Sequence, residues 1–269
     1  MAILQVTVFA KSLMRNVSLT VILPVDKLMG GAEPDYPTLY LLHGLYGNTL
    51  DWITNSRINR LAMERNLCVV MPSGENSFYL DDPDHFDRWS QFVGRELVEL
   101  TRRMFPLSHR RDETFLGGVS MGGYGALYNG LRFPETFGWL LAYSPALRIR
   151  QLQGSSYESG FILSNRAFAE RCFGDLETLP NSDRNPIWQV EQLARAGTAL
   201  PELYLSCGNR DELLPGSQEL AQTLERLDVP HTFEILPGVH GWDCWDRALE
   251  HSLKLLPIGR NRVKICSSQ

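Results

Sequence analysis

Apolar residues fall in this chain as short continuous runs alternating with stretches of helical spacing, and the alternation predicts most of the fold. Residues 3 to 9 and 17 to 23 are β-rich and flank Lys11 to Asn16, which predicts an antiparallel hairpin or meander at a sheet edge, closed by Pro24. Asp26 to Pro37, with Gly30, Gly31, Pro34 and Pro37, reads as a loop. Thr38 to Leu42 and Leu67 to Met71 predict buried strands, the second stopped by Pro72, with helical spacing at Ile58, Leu61 and Ala62 between them over Ser56 to Asn66. Over Asp87 to Phe105 the side chains of Phe92, Val93, Leu97, Leu100 and Met104 fall on one side of a long amphipathic helix.

A strand, a turn and a helix follow over residues 114 to 126, then a strand at Phe137 to Tyr143. From Leu147 to Trp188 the pattern dissolves into Gly, Ser, Asn and Pro with one helical piece around Asn165 to Phe173, which predicts an insertion over the top of the sheet. Alternation resumes with a helix near Ile187 to Ala196, a strand Glu202 to Ser206, a helix Gly216 to Leu227, a strand His231 to Leu236 and a helix Trp242 to Leu255. Strands apolar on both faces and joined by helices predict a mostly parallel sheet covered on both sides, an α/β fold whose chemistry sits at the strands' carboxyl ends. A length of 269 residues with 43 % hydrophobic residues suits one such domain.

The strongest chemical signal is Gly118-Val119-Ser120-Met121-Gly122, where an apolar run stops at a glycine-flanked serine and a helix begins. In a nucleophile elbow the serine is held at strained backbone angles, and side chains two residues before and after it would collide where strand and helix cross. The turn would lift the Ser120 hydroxyl above the sheet and aim the Met121 amide at a developing oxyanion. A serine hydroxyl needs a histidine to take its proton and a carboxylate to orient that histidine. His240 follows the last predicted strand, whereas His231 opens a strand and His251 lies in the final helix. Asp211 follows the strand before, with Glu212 beside it as an alternative and Asp243 too close in sequence to His240. A second oxyanion amide is expected from Leu45 in His43-Gly44-Leu45-Tyr46-Gly47, with His43 holding that loop. Trp52, Phe78, Tyr79, Trp89 and Trp242 lie on or beside the loops expected around Ser120, and are the candidates for a short acyl pocket.

Charge narrows the partners. A net charge of −5, from 31 acidic and 26 basic residues without long runs, points to neither nucleic acid nor an anionic membrane. The amino terminus alternates like a strand and no apolar run approaches eighteen residues, so the expectation is a soluble cytoplasmic protein acting on a small molecule, with homo-oligomers left open. Five widely spaced cysteines without a C-x-x-C pair indicate neither a disulfide framework nor a zinc site, and Cys68 and Cys207 read as core residues. Asp81, Asp82, Asp84, His85 and Asp87 lack the glycine and closing glutamate of a calcium loop, and read as a solvated loop with a helix N-cap. No cofactor or metal is expected.

Taken together, His43-Gly44-Leu45-Tyr46-Gly47-Asn48 with Asp51-Trp52, Val69-Val70-Met71-Pro72, the block from Gly118 to Gly125, Cys207-Gly208 with Asp211, and His240-Gly241-Trp242 with Trp245 resemble the esterase D superfamily, and within it the tributyrin-esterase branch. The resemblance implies an α/β-hydrolase fold, carboxylesterase activity on short acyl esters, a Ser120, Asp211 and His240 triad, and Leu45 and Met121 as oxyanion amides. S-formylglutathione hydrolases are relatives that typically lack the His-Gly opening of the oxyanion loop, so a thioesterase stands as the alternative, beside esterases of acetylated or feruloylated carbohydrates. A non-catalytic binding module ranks last, because no triad member is missing.

Overall fold

A computed structural model describes residues 1–25 and 35–258. The loop expected over Asp26 to Pro37 lies largely outside the described residues, as does Cys266. Eight strands make one sheet: β1 (Ala2–Ala10), β2 (Arg15–Leu23), β3 (Thr38–Leu42), β4 (Cys68–Pro72), β5 (Thr114–Val119), β6 (Trp139–Tyr143), β7 (Glu202–Gly208) and β8 (His231–Leu236). Their spatial order is β1-β2-β4-β3-β5-β6-β7-β8. β1 and β2 form the antiparallel hairpin, β2 meets β4 antiparallel, and every later pairing is parallel. This is the α/β-hydrolase arrangement, and it puts the loops after β3, β5, β7 and β8 along one edge.

The period of two along each strand sorts side chains to two cores. Tyr40, Leu42, Val70 and Leu116 face one core with the helices of residues 89–104, 121–132, 186–195 and 214–226. Leu39, Leu41, Val69 and Phe115 face the other with α2 (Ile58–Arg65) and the last helix, Trp242–Leu255. Burial on both faces explains why these strands read as unbroken apolar runs. The short α1 (Asp51–Asn55), which the spacing did not reveal, carries Trp52 under the same core.

The helix expected from Asp87 to Phe105 corrects the sequence reading. It runs as Trp89–Gln91, a π segment Phe92–Glu96 and Leu97–Met104. A π segment inserts an extra residue per turn and rotates the remainder of the helix about its axis. Thr101 thereby takes a buried position, bonded to the Tyr40 hydroxyl at 2.8 Å, while Met104 is exposed. Gly94, inside that segment, lies where a Cβ would be 2.1 Å from the Phe133 ring, so the bulge accommodates that ring.

The stretch from 147 to 188 holds more structure than one helical piece: Ile149–Gln153, Arg166–Phe173 capped by the Asn165 side chain, and two single 3₁₀ turns. Phe173 packs against Phe78 and Tyr124 with ring centroids 4.8 and 5.5 Å apart, and Arg184 bonds the carbonyls of Cys172 and Asp81. The insertion is therefore anchored to the helix that follows Ser120 and to the loop before residue 81. That acidic loop folds as a two-residue ribbon, Asp81–Asp82 with Asp87–Arg88. Asp81 accepts from the amides of Ser90 and Gln91, Asp82 bonds His85, and Asp87 pairs with Arg15. Among the described residues no group of His, Cys, Asp and Glu side chains is arranged to hold a metal. Cys68, Cys172, Cys207 and Cys244 are buried free thiols.

Candidate active site

Ser120 sits at φ 56° and ψ −115°, between the end of β5 and the helix Met121–Arg132. Such angles in a non-glycine residue cost on the order of 1–3 kcal/mol and persist only where the surroundings impose them. Here the Ser120 amide donates to the Tyr143 carbonyl at 2.9 Å, and the Ser120 carbonyl accepts from the amides of Tyr124 and Ala146. A Cβ on Gly118 would lie 2.4 Å from the Gly122 carbonyl oxygen, and one on Gly122 would lie 2.6 Å from the Leu42 and His43 carbonyl oxygens. These obstacles are backbone and cannot swing aside. Gly122→Ala is accordingly expected to destabilise the protein by about 1–3 kcal/mol or more, measured as a lower urea midpoint, together with loss of whatever activity Ser120 carries.

The Ser120 Oγ lies 3.0 Å from His240 Nε2, and His240 Nδ1 lies 2.8 Å from Asp211 Oδ2. A carboxylate only accepts, so the ring proton is on Nδ1, and Nε2 is left to accept from the serine hydroxyl. Asp211 has a fully buried side chain, and its Oδ1 accepts from the Leu213 amide at 2.9 Å. Burial alone would raise its pKa, but the bonds from His240 and the Leu213 amide outweigh that and hold it below the usual carboxylate range. Glu212 points outward and pairs with Arg148 at 3.4 Å, so only one of the two neighbouring carboxylates faces the imidazole. Asp243 is exposed at the start of the last helix. The loops after β7 and β8 can press together because Gly208 has no side chain: a Cβ there would be 2.7 Å from the Gly238 carbonyl oxygen.

His43 holds the loop after β3. The Gly74 amide donates to its Nε2 at 2.8 Å, so Nδ1 carries the proton and donates to the Gly44 carbonyl at 2.7 Å. Burial lowers the pKa of this ring, which keeps it neutral. The Tyr79 hydroxyl donates to the His43 carbonyl and the Trp52 indole N–H to the Leu42 carbonyl, at 3.1 and 3.0 Å. Gly44 is thereby set against the serine, where a Cβ on it would come within 3.5 Å of Ser120 Cβ. Neither the Leu45 nor the Met121 amide donates to a described residue.

The five aromatic candidates divide. Trp52, Phe78, Tyr79 and Trp89 are each at most 2 % exposed. Trp52 and Tyr79 hold the end of β3 and the loop after it through their polar ends, Phe78 packs on Tyr124, and Trp89 packs on Phe92 beneath Arg15. Trp242 alone keeps part of its surface, edge-on to Trp52 and Trp245 at 5.0 and 5.2 Å. Sequence reasoning passed over Ser144 and gave Trp245 no role. The available signal was an indole, a donor that needs a buried acceptor, on the apolar face of the final helix.

A serine, an imidazole and a buried carboxylate in one hydrogen-bonded line at the carboxyl edge of this sheet define a serine hydrolase of the α/β-hydrolase fold. The chain belongs to the Esterase family, described as "Putative esterase", whose model matches residues 10–256. It is 38 % identical over 261 residues to an acetyl esterase of Caldicellulosiruptor saccharolyticus, covering 94 % of this chain and 97 % of that one. Among solved structures it is similar to the fluorophosphonate-binding serine hydrolase FphF of Staphylococcus aureus, with TM-score 0.83, 26 % identity and coverage of 95 % and 98 % of the two chains. An S-formylglutathione hydrolase (FrmB) of the same organism gives TM-score 0.80 and 26 % identity, covering 95 % of this chain and 98 % of that chain. The enzyme is a carboxylic ester hydrolase. No described helix is long and apolar enough to cross a membrane.

Proposed function

We propose that the enzyme hydrolyses short-chain acyl esters, acetyl to butyryl, through an acyl-enzyme on Ser120. The observation that carries this is the unbroken line from Ser120 Oγ through His240 to the buried Asp211. His240 Nε2 takes the hydroxyl proton as Oγ bonds to the ester carbonyl carbon, and the carbonyl oxygen becomes an oxyanion facing the Leu45 and Met121 amides. Collapse of the tetrahedral adduct breaks the bond to the alkoxy oxygen, which leaves with the proton from His240. Water, deprotonated by the same nitrogen, then attacks the acyl-enzyme and releases the acid with Ser120 restored.

The short-acyl preference is supported by the tight aromatic packing around the elbow, with Trp242 alone of the five rings offering surface, and by the 38 % identical relative named an acetyl esterase. Each methylene that fits a hydrophobic pocket adds only about 1–3 kcal/mol, so preference should peak early and collapse once the chain no longer fits. Assignment to the tributyrin-esterase branch of the esterase D superfamily, a single-domain organisation and a cytoplasmic location are parts of the same proposal. The thioesterase alternative draws on the likeness to an S-formylglutathione hydrolase. On p-nitrophenyl esters from C2 to C16, kcat/KM is expected to be highest between C2 and C4, and an acetylated sugar should exceed a formyl thioester of glutathione. A maximum at C12 or longer overturns the short-acyl assignment, and a large excess for the thioester replaces it with the alternative.

A further inference from the structure

Between the nucleophile and the acid lies a residue with no part in the acyl-transfer steps. Ser144 follows β6, is fully buried, and has φ 44°, a left-handed conformation unusual for serine. Its amide donates to the Ser206 carbonyl of β7 at 2.7 Å, while the preceding carbonyl, of Tyr143, accepts from the Ser120 amide. The Trp245 indole N–H donates to Ser144 Oγ at 3.1 Å. An indole nitrogen can only donate, so this contact turns the Ser144 proton away from the ring. The same Trp245 ring stands edge-on to the His240 ring, with centroids 4.9 Å apart and planes at 85°.

We propose that Ser144 and Trp245 are positioning residues of the triad: the Ser144 hydroxyl holds the Trp245 indole in place, and that ring braces His240, fixing the base in one orientation. This rests on the assignment of Ser120, His240 and Asp211 as the triad. Removing the hydroxyl or the indole N–H breaks that bond and frees the ring to move from His240, and an imidazole that gains water holds its proton more tightly. An indole that merely needed a buried acceptor would affect stability and leave turnover alone.

The test compares Trp245→Phe, which keeps a ring against His240 and removes the N–H, with Ser144→Gly, which accepts the left-handed backbone and removes the hydroxyl. Acetyl ester hydrolysis is followed across pH alongside Ser120→Ala. Each variant is expected to lose about 10-fold in kcat, the lower end of what outer hydrogen-bond partners of a functional histidine supply. KM should stay within about twofold, and the acid limb of kcat/KM should move to higher pH. The double variant should be no slower than the slower single one, because both act through one proton. A shifted low-field proton signal from His240 Nδ1, read by NMR, is the matching spectroscopic mark. Wild-type kcat and an unmoved acid limb in both variants, or a loss that only tracks the fraction folded in urea, overturns the proposal. If Ser120→Ala stays active, the triad assignment itself has failed, whereas an inactive Ser120→Ala beside two unaffected variants refutes the positioning role alone.

Discussion

Ser120→Ala is expected to abolish ester hydrolysis and covalent labelling by a fluorophosphonate, with kcat lowered about 10⁶-fold, the order lost when a serine nucleophile is removed. The elbow is why no other group can substitute. Its φ of 56° places the hydroxyl at 3.0 Å from His240 Nε2, and the backbone at Gly118 and Gly122 leaves no space for the turn to relax. Stability should change by less than about 1 kcal/mol, since one partly exposed hydroxyl is lost and the backbone bonds to Tyr143, Tyr124 and Ala146 remain. A purified variant that still forms the adduct at the wild-type rate would remove Ser120 from the reaction.

Replacing Asp211 should cost less than removing the nucleophile, though still heavily. In Asp211→Asn the amide can present an N–H where Oδ2 now accepts, which favours the wrong imidazole tautomer and leaves the imidazolium without a counter-charge; kcat is expected to drop about 10⁴-fold. Glu212→Gln, which removes only an exposed pair with Arg148, should be nearly silent. The reverse ranking would move the acid to Glu212. The pH dependence of stability provides a second readout. A carboxyl held below its ordinary value contributes stability that is fully present above the ordinary range, near pH 4, and is lost as pH falls through the lowered folded value. The difference in Tm between wild type and Asp211→Asn should therefore be largest at neutral pH and shrink on acidification below that range.

Much of the sheet could be read from periodicity because its strands are covered on both faces. The strand at His231 to Leu236 and the helix at Trp242 to Leu255 have the bounds expected of them, and Thr38 to Leu42 likewise. Local rules failed where a neighbour distant in sequence decides. The π segment depends on Phe133 lying over Gly94, and the burial of Thr101 depends on the Tyr40 hydroxyl. Neither partner can be inferred from the helix's own residues.

The site divides along the same line. By itself the sequence determined that a serine stands on a glycine-flanked turn, that one histidine follows the last strand and that an acidic pair follows the strand before, because each is a matter of chain order and local sterics. Only the tertiary structure sets Asp211 apart from Glu212, since adjacent residues share a sequence context and differ in which way they face: one carboxylate is buried against His240 and the other meets Arg148 in solvent. It also buried four of the five aromatic candidates, because exposure depends on what the rest of the chain lays over a ring. And it brought Ser144 and Trp245, 101 residues apart, into one hydrogen bond beside the acid, a contact no spacing rule encodes because sheet order, not sequence distance, sets it.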